Sequence, residues 1–216
     1  MKNKLFTPDE QAVLQQIMQL RRDVRGNRFT DQPIHDEELE KILLAATSAP
    51  SVGFSQPWEF VVVRDDEVKS QVARVFASEN DKAKKQFSEK QSKYAELKLE
   101  GINEAPINIA VFYKPSNEPV LGQTSIPEMG EYSVVCAVQN MWLMARALNI
   151  GLGWVSILKP DSIKKIVNAP AENKLVAYLC LGYVDEFLIK PELETLKWQD
   201  KKSLSSVIQY DCYSSK

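Results

Sequence analysis

The sequence has little from which to build a disulfide, a metal centre or a charge-relay triad. Its three cysteines, Cys136, Cys180 and Cys212, stand far apart with no CxxC pair among 216 residues. That excludes a disulfide scaffold and a cysteine-built structural zinc site. Reduced thiols are expected instead, with Cys136 and Cys180 in the core. The one histidine, His35, lies beside Asp36, Glu37 and Glu38 at the start of an expected helix. A Ser-His-Asp or Cys-His machine would have to rest on it alone, and a histidine-built zinc or iron site lacks its ligands. No stretch approaches the ~18 consecutive apolar residues of a membrane span. The N-terminal MKNKLFTPDEQ has charges with no apolar run behind them, so no signal peptide is expected there. There is no charge excess either: 27 Lys and Arg against 29 Asp and Glu give a formal net charge of −2. No bulk attraction to nucleic acid or to an anionic membrane follows, so a bound anion must be held by a local cluster. With no nucleophile–base pair and no metal, any reactivity belongs to a bound organic cofactor. The expectation is a soluble, cytoplasmic protein.

What is present is ordinary globular material, 44% hydrophobic and 26% charged, in a chain of a length that suits one domain over 1–216. Thr7, Pro8 and Glu10 open a first helix with a capping box, and Val13, Leu14, Ile17, Met18 and Leu20 stripe one side of it. This helix is expected to run on into RRDVRGNRF and to end at Gly26 and Asn27. A second helix begins near His35 and Asp36 and is stopped by Pro50. Strands are expected over 58–63, 107–113, 153–158 and 176–183. A third helix starts near Asp66. The segment 78–92 is almost wholly polar and reads as an exposed helix or mobile lid, a short helix containing Tyr94, Leu97 and Leu99 ends at Gly101, and 78–100 together is expected to form a lid. Residues 114–130, with three prolines and two glycines, form a long loop. The segment 131–149 is apolar around most of its circumference and needs burial on nearly all sides, in the core or at a subunit interface. The segment 184–216 has so little core of its own that it suits wrapping a partner subunit.

Three segments could carry chemistry. Arg21, Arg22 and Arg25, with Arg28 close behind, make a dense local cation. Guanidinium groups bind phosphate at two points and keep their charge in any surroundings; the plainer reading is a solvated turn in which Asp23 pairs with its neighbours. Ser51, Ser55 and Gln56 lie between Pro50 and Pro57 and offer hydroxyl and amide groups to a ligand edge, or simply cap a connector. Gly151-Leu152-Gly153-Trp154-Val155-Ser156 has Ser where a dinucleotide fingerprint needs its third glycine. It also follows a helix and opens a strand, the reverse of that fingerprint. Close approach of a flat ligand to the glycine backbone, or a helix terminator before a core strand, both remain open.

Taken in order, RRDVR (21–25), APSVGFSQPW (49–58), KLEGINEAP (98–106), PEMGEYSVVCAVQNMWLMARA (127–147) and GLGWVSI (151–157) resemble the flavin-dependent nitroreductase family over nearly the whole chain. They are closest to its 5,6-dimethylbenzimidazole synthase subgroup, from which Asp23 and the WVS run of 154–156 are the distinguishing positions. The resemblance implies an α+β fold with a mixed central sheet flanked by helices, in an intertwined homodimer with flavin sites at the subunit interface. It implies reduced FMN as substrate and O2 as co-substrate, with a separate flavin reductase supplying the reduced flavin and no nucleic-acid or membrane partner. The dimethylated benzene ring and one ribityl carbon would become 5,6-dimethylbenzimidazole, the lower ligand of vitamin B12.

On the same basis, Arg21, Arg22, Asp23, Val24, Arg25, Pro50, Ser51, Ser55, Gln56, Leu99, Gly153, Trp154 and Ser156 would contact FMN. Asp23 and Ser156 would be catalytic, and the carboxylate of Asp23, among arginines, would sit at a lowered pKa. The Arg or Lys pair that the family places near the tail is replaced here by WQDKKSL, which leaves Lys201 as the residue to carry over. The alternatives are an NAD(P)H-dependent FMN nitroreductase or flavin reductase that recycles its flavin, and a non-catalytic flavin-binding protein.

Overall fold

The computed structural model describes residues 3–87 and 91–213. Four strands, β1 (Trp58–Val63), β2 (Ile107–Tyr113), β3 (Ile150–Val155) and β4 (Lys174–Tyr183), form one sheet in the order β1-β2-β4-β3. All three pairings are antiparallel. The parallel component of the expected mixed sheet is an isolated bridge, Asp23 to Leu152, on the outer edge of β3.

The alternation of side chains along the inner strands builds two cores. Ile107, Ile109 and Val111 of β2, with Ala177, Leu179 and Leu181 of β4, face α2 (Asp36–Thr47) and α5 (Met129–Ala147). Ala110 and Phe112, with Tyr178 and Cys180, face the opposite way, toward α3 (Asp66–Gln86) and α6 (Pro160–Ile166). Burial on both faces explains why β2 reads as an apolar run interrupted by Asn108 alone, rather than as an alternating one.

The expected boundaries of β1 and β2 match. β3 begins three residues earlier than expected, because Asn149 takes a left-handed conformation (φ 59°) that ends α5 and turns the chain into the strand. Gly151 and Gly153 are therefore strand residues and not a helix terminator. Helix α1 (Pro8–Leu20) has the expected capping box, yet it stops at Leu20 and does not run on to Gly26. Residues 21–25 are extended, since their backbone joins the edge of β3. His35 caps α2 from an exposed position. Among the thiols, Cys180 is buried, but Cys136 is exposed on α5, on a turn that faces away from the sheet.

Among the described residues, three apolar surfaces lack cover. Helix α1 buries none of its residues, and Val13, Leu14, Met18 and Leu20 are each about half exposed. Helix α5 exposes Tyr132 and Val135. Residues 201–213 are exposed throughout, including Leu204, Val207 and Tyr210. The earlier part of the tail behaves differently. Phe187 lies under the Arg146 guanidinium at 4.0 Å, and α7 (Glu192–Thr195) folds back over the chain's own edge strand region. Residues 88–90 of the expected lid, which precede α4 (Gln91–Glu96), and 214–216 of the tail lie outside the described residues.

Candidate active site

The segment 21–25 is laid along β3 by main-chain and side-chain bonds together. Val24 N–H donates to the Leu152 carbonyl (3.1 Å), and Trp154 N–H donates to Asp23 Oδ1 (3.0 Å). Only glycine at 153 permits this approach. A Cβ there would lie 2.1 Å from the Val24 carbonyl oxygen, and one at Gly151 would lie 2.5 Å from a Val184 methyl. Gly153 therefore admits this chain's own backbone and Gly151 its own valine side chains on that side, where the sequence had left open a flat ligand.

Beside this edge lies a cavity of about 200 Å³, lined by Arg21, Arg22, Asp23, Arg25, Leu97, Lys98, Leu99, Leu188, Pro191, Glu192 and Leu193. Its cations differ in what they already hold. Arg22 donates to the carbonyls of Gln19 and Arg21 and, across the cavity rim, to those of Leu188 and Ile189. Arg25 pairs with Asp23 and donates to the carbonyls of Leu99 (3.1 Å) and Trp154 (3.2 Å). Lys98 is held between Glu100 (2.7 Å) and Glu104 (2.8 Å). Arg21 lies over the Trp142 ring at 4.7 Å, and no hydrogen-bond acceptor holds it among the described residues.

Asp23 departs from expectation. Burial raises its carboxyl above the usual carboxylate range, and the opposing pull of Arg25, the Trp154 N–H and Arg21 does not reverse this; nearby Glu192 adds to the rise. About a third of the side chain, 35%, remains exposed, and it faces the cavity that Asp23 lines. A raised carboxyl holds its proton closer to neutral pH, which suits a group that must take and return one.

The other expected residues fall in three places. Leu99 lines the cavity; Val24 is buried behind it, and Gly153 and Trp154 lie on β3 behind the 21–25 segment and do not line it. Ser156 is exposed just past the end of β3. Lys201 is exposed on the tail and does not line the cavity. Pro50, Ser51, Ser55 and Gln56 sit at the opposite end of α5. There Val52 N–H donates to Ser133 Oγ (3.1 Å) and Gln56 N–H donates to Ser51 Oγ (3.1 Å). Ser133 and Trp142 are nine residues apart on α5, about 14 Å of helix. A single chain thus keeps the arginine cavity and the Pro50–Pro57 loop apart. Within that loop Ser55 Oγ is buried with no hydrogen-bond partner among the described residues.

Leu188, Pro191, Glu192 and Leu193 were not foreseen as site residues. Nothing in an aperiodic tail marks which part returns to its own chain. Lys98 carried a signal, its place in the KLEGINEAP run. Trp142 carried the same kind of signal, its place in the PEMGEYSVVCAVQNMWLMARA run, besides the apolar pattern of its helix.

A family model described as the nitroreductase family matches residues 18–183. The sequence is 43% identical to a 5,6-dimethylbenzimidazole synthase of Rhodospirillum rubrum, over 92% of this chain and 94% of that protein. It is 33% identical to a 5,6-dimethylbenzimidazole synthase of Rhodobacter capsulatus, over 90% of this chain and 95% of that one. Among solved structures, an iodotyrosine deiodinase bound to FMN and 3-iodo-L-tyrosine shares the fold with a TM-score of 0.74 at 24% identity, covering 93% of this chain and 100% of that chain.

Proposed function

The chain belongs to the nitroreductase family, and we propose that within it this protein fragments reduced FMN with O2 to give 5,6-dimethylbenzimidazole, the lower ligand of vitamin B12. The observation that carries the reading is Asp23, a carboxylate held by a strand N–H inside an arginine-lined cavity and raised toward working pH by burial. Recycling a flavin needs no such base, whereas breaking its ribityl and ring bonds requires proton removal. The 43% identity to a named synthase along nearly the whole chain supports the same activity.

The residues fit FMN. Arg21 offers an uncommitted guanidinium and Ser55 an orphaned buried hydroxyl. Arg21, with Arg22 and Arg25 behind it, would hold the phosphate and ribityl end. Leu99 would wall the cavity, Val24 and, from β3, Gly153 and Trp154 would flank the bound flavin, Asp23 would take a proton from the ribityl chain, and Ser156 would position or relay at the strand end. Bound reduced FMN supplies the electrons for the reaction with O2 and the carbon skeleton of the product.

A cavity of about 200 Å³ is too small for all of FMN, since sites for ligands of that size run from ~300 Å³ upward. The missing wall is assigned to Pro50, Ser51, Ser55 and Gln56 of a second subunit in a homodimer. The uncovered apolar face of α1 and the exposed residues 201–213, with Lys201 among them, supply surface for that dimer. On this reading 1–216 is one domain, 78–100 is a lid over the site, and the tail beyond Asp200 wraps the partner. A separate cytoplasmic flavin reductase supplies reduced FMN.

The test is to mix the protein with chemically reduced FMN and air and to analyse the products by chromatography. 5,6-Dimethylbenzimidazole should appear as FMN is lost. Steady NADH oxidation with FMN returned intact would replace this reading with that of a nitroreductase, and bound FMN with neither turnover nor loss would make the protein a flavin carrier.

A further inference from the structure

Trp142 touches both of the first two cavity arginines, and each contact is of a different kind. Its indole face carries the Arg21 guanidinium at 4.7 Å, and its Nε1–H donates to the Arg22 carbonyl at 3.1 Å. Its ring is also set at 6.3 Å from that of Trp154 on β3, tilted by 52°. The segment 21–25 is extended, so Arg21, Asp23 and Arg25 share one side and Arg22 and Val24 the other. Arg22 spends its donors on four carbonyls, two of them from the returning tail, and Arg25 spends its own on Asp23, Leu99 and Trp154. Among the described residues, Arg21 alone of the three has its donors uncommitted, and Trp142 is what fixes its direction. A guanidinium stacked on an indole keeps its edge N–H groups available for a planar or tetrahedral anion.

We propose that Trp142 is a positioning residue that presents Arg21 as the anion anchor of the cavity, while Arg22 serves to strap the tail across the rim. This rests on the FMN reading and names the one arginine that discriminates the phosphate. Loss of the indole face frees the Arg21 side chain to sample many rotamers, and ordering them again falls on the phosphate-bearing ligand alone. Riboflavin, which lacks the phosphate, should not feel the change.

The experiment measures the dissociation constants of FMN and riboflavin for wild type, Trp142→Leu, Trp142→Phe, Arg21→Ala and the double variant Arg21→Ala/Trp142→Leu. Melting curves establish that each is folded at the titration temperature. Wild type should prefer FMN by tenfold or more. Trp142→Leu should reduce that preference by about three- to tenfold, the range of a partly desolvated cation–π contact. Trp142→Phe should restore most of it, and Trp142→Leu should have no further effect once Arg21 is alanine. Equal weakening of both ligands by Trp142→Leu would make the role structural and overturn the proposal. Phe as poor as Leu would move the role to the Nε1–H bond and overturn it as well. A wild type with no FMN preference would instead overturn the phosphate reading on which the proposal rests.

Discussion

Gly153→Ala is the smallest change that should take the site apart. The added methyl would lie 2.1 Å from the Val24 carbonyl oxygen, far inside contact distance, and the obstacle is backbone held in the middle of an extended segment. The segment must lift from the strand. Two bonds go with it: Val24 N–H to Leu152 O, at 3.1 Å, and Trp154 N–H to the Asp23 carboxylate, at 3.0 Å. The first is worth about 0.5–1.5 kcal/mol and the second, to a charged group, about 1.5–3 kcal/mol. Replacing glycine returns about 0.4–1 kcal/mol through the unfolded chain. The variant should therefore lose roughly 1–4 kcal/mol in urea unfolding at unchanged m-value. Its FMN affinity should fall much further than stability alone explains, because Arg21, Asp23 and Arg25 ride on the displaced segment. Ile109→Ala is the control. Ile109 is fully buried in β2, away from that edge, so its loss costs about 2–5 kcal/mol through a cavity while FMN binding to the folded protein persists. Wild-type stability and FMN affinity in Gly153→Ala would show that 21–25 is not held on β3 as described.

Asp23→Asn and Ser156→Ala should each bind FMN within about tenfold of wild type, the loss of one hydrogen bond, and should lower 5,6-dimethylbenzimidazole formation by at least ~100-fold in single-turnover product analysis; wild-type yield from Asp23→Asn would remove Asp23 as the base. Because burial raises the Asp23 carboxyl, the folded state binds more protons than the unfolded one between the two pKa values. This group therefore costs stability progressively as pH rises from its unfolded value through its folded one. Thermal melts should show Asp23→Asn stabilised at pH 7, with the gain shrinking toward pH 4; a gain that grows on acidification would reverse the sign assigned here. Truncation after Asp200 should give a monomer by sedimentation and abolish FMN binding if the tail completes a dimer; a stable FMN-binding dimer would place the interface elsewhere.

Much of the fold was legible because its signals are local. The capping box of Thr7 and Glu10 fixed the start of α1, and β-branched runs bounded by proline or polar residues fixed β1 and β2. The misplaced boundaries share one cause, which is that tertiary pairing overrides local pattern. Residues 21–25 continue the helical composition of α1 but are extended, because β3 offers an unpaired edge. The onset of β3 depends on a left-handed Asn149 that no periodicity announces. The short helices α6 and α7 were invisible for want of length, although Pro160 stands at the first position of one and Pro191 caps the other.

The site was legible as residue types and not as an arrangement. Three arginines in five residues announce an anion, but sequence cannot say that Arg22 is consumed by tail carbonyls 166 and 167 positions away, nor that Arg21 leans on an indole 121 positions on. The sign at Asp23 shows the same limit. Counting neighbouring charges gives a lowered carboxyl, since three arginines flank it in the chain. Burial enters only in the folded chain, where Asp23 shares a cavity with Leu97, Leu99, Leu188 and Leu193 of two distant segments, and a desolvation penalty can exceed the attraction of a partner that is itself shared with carbonyls. Arg25 is such a partner, divided among Asp23, Leu99 and Trp154. Residues that the sequence suggests as a pre-ionised pair are thus arranged by the fold so that the carboxyl can hold a proton. A ligand that drew Arg25 toward its phosphate would remove part of the remaining attraction and push that carboxyl further in the same direction.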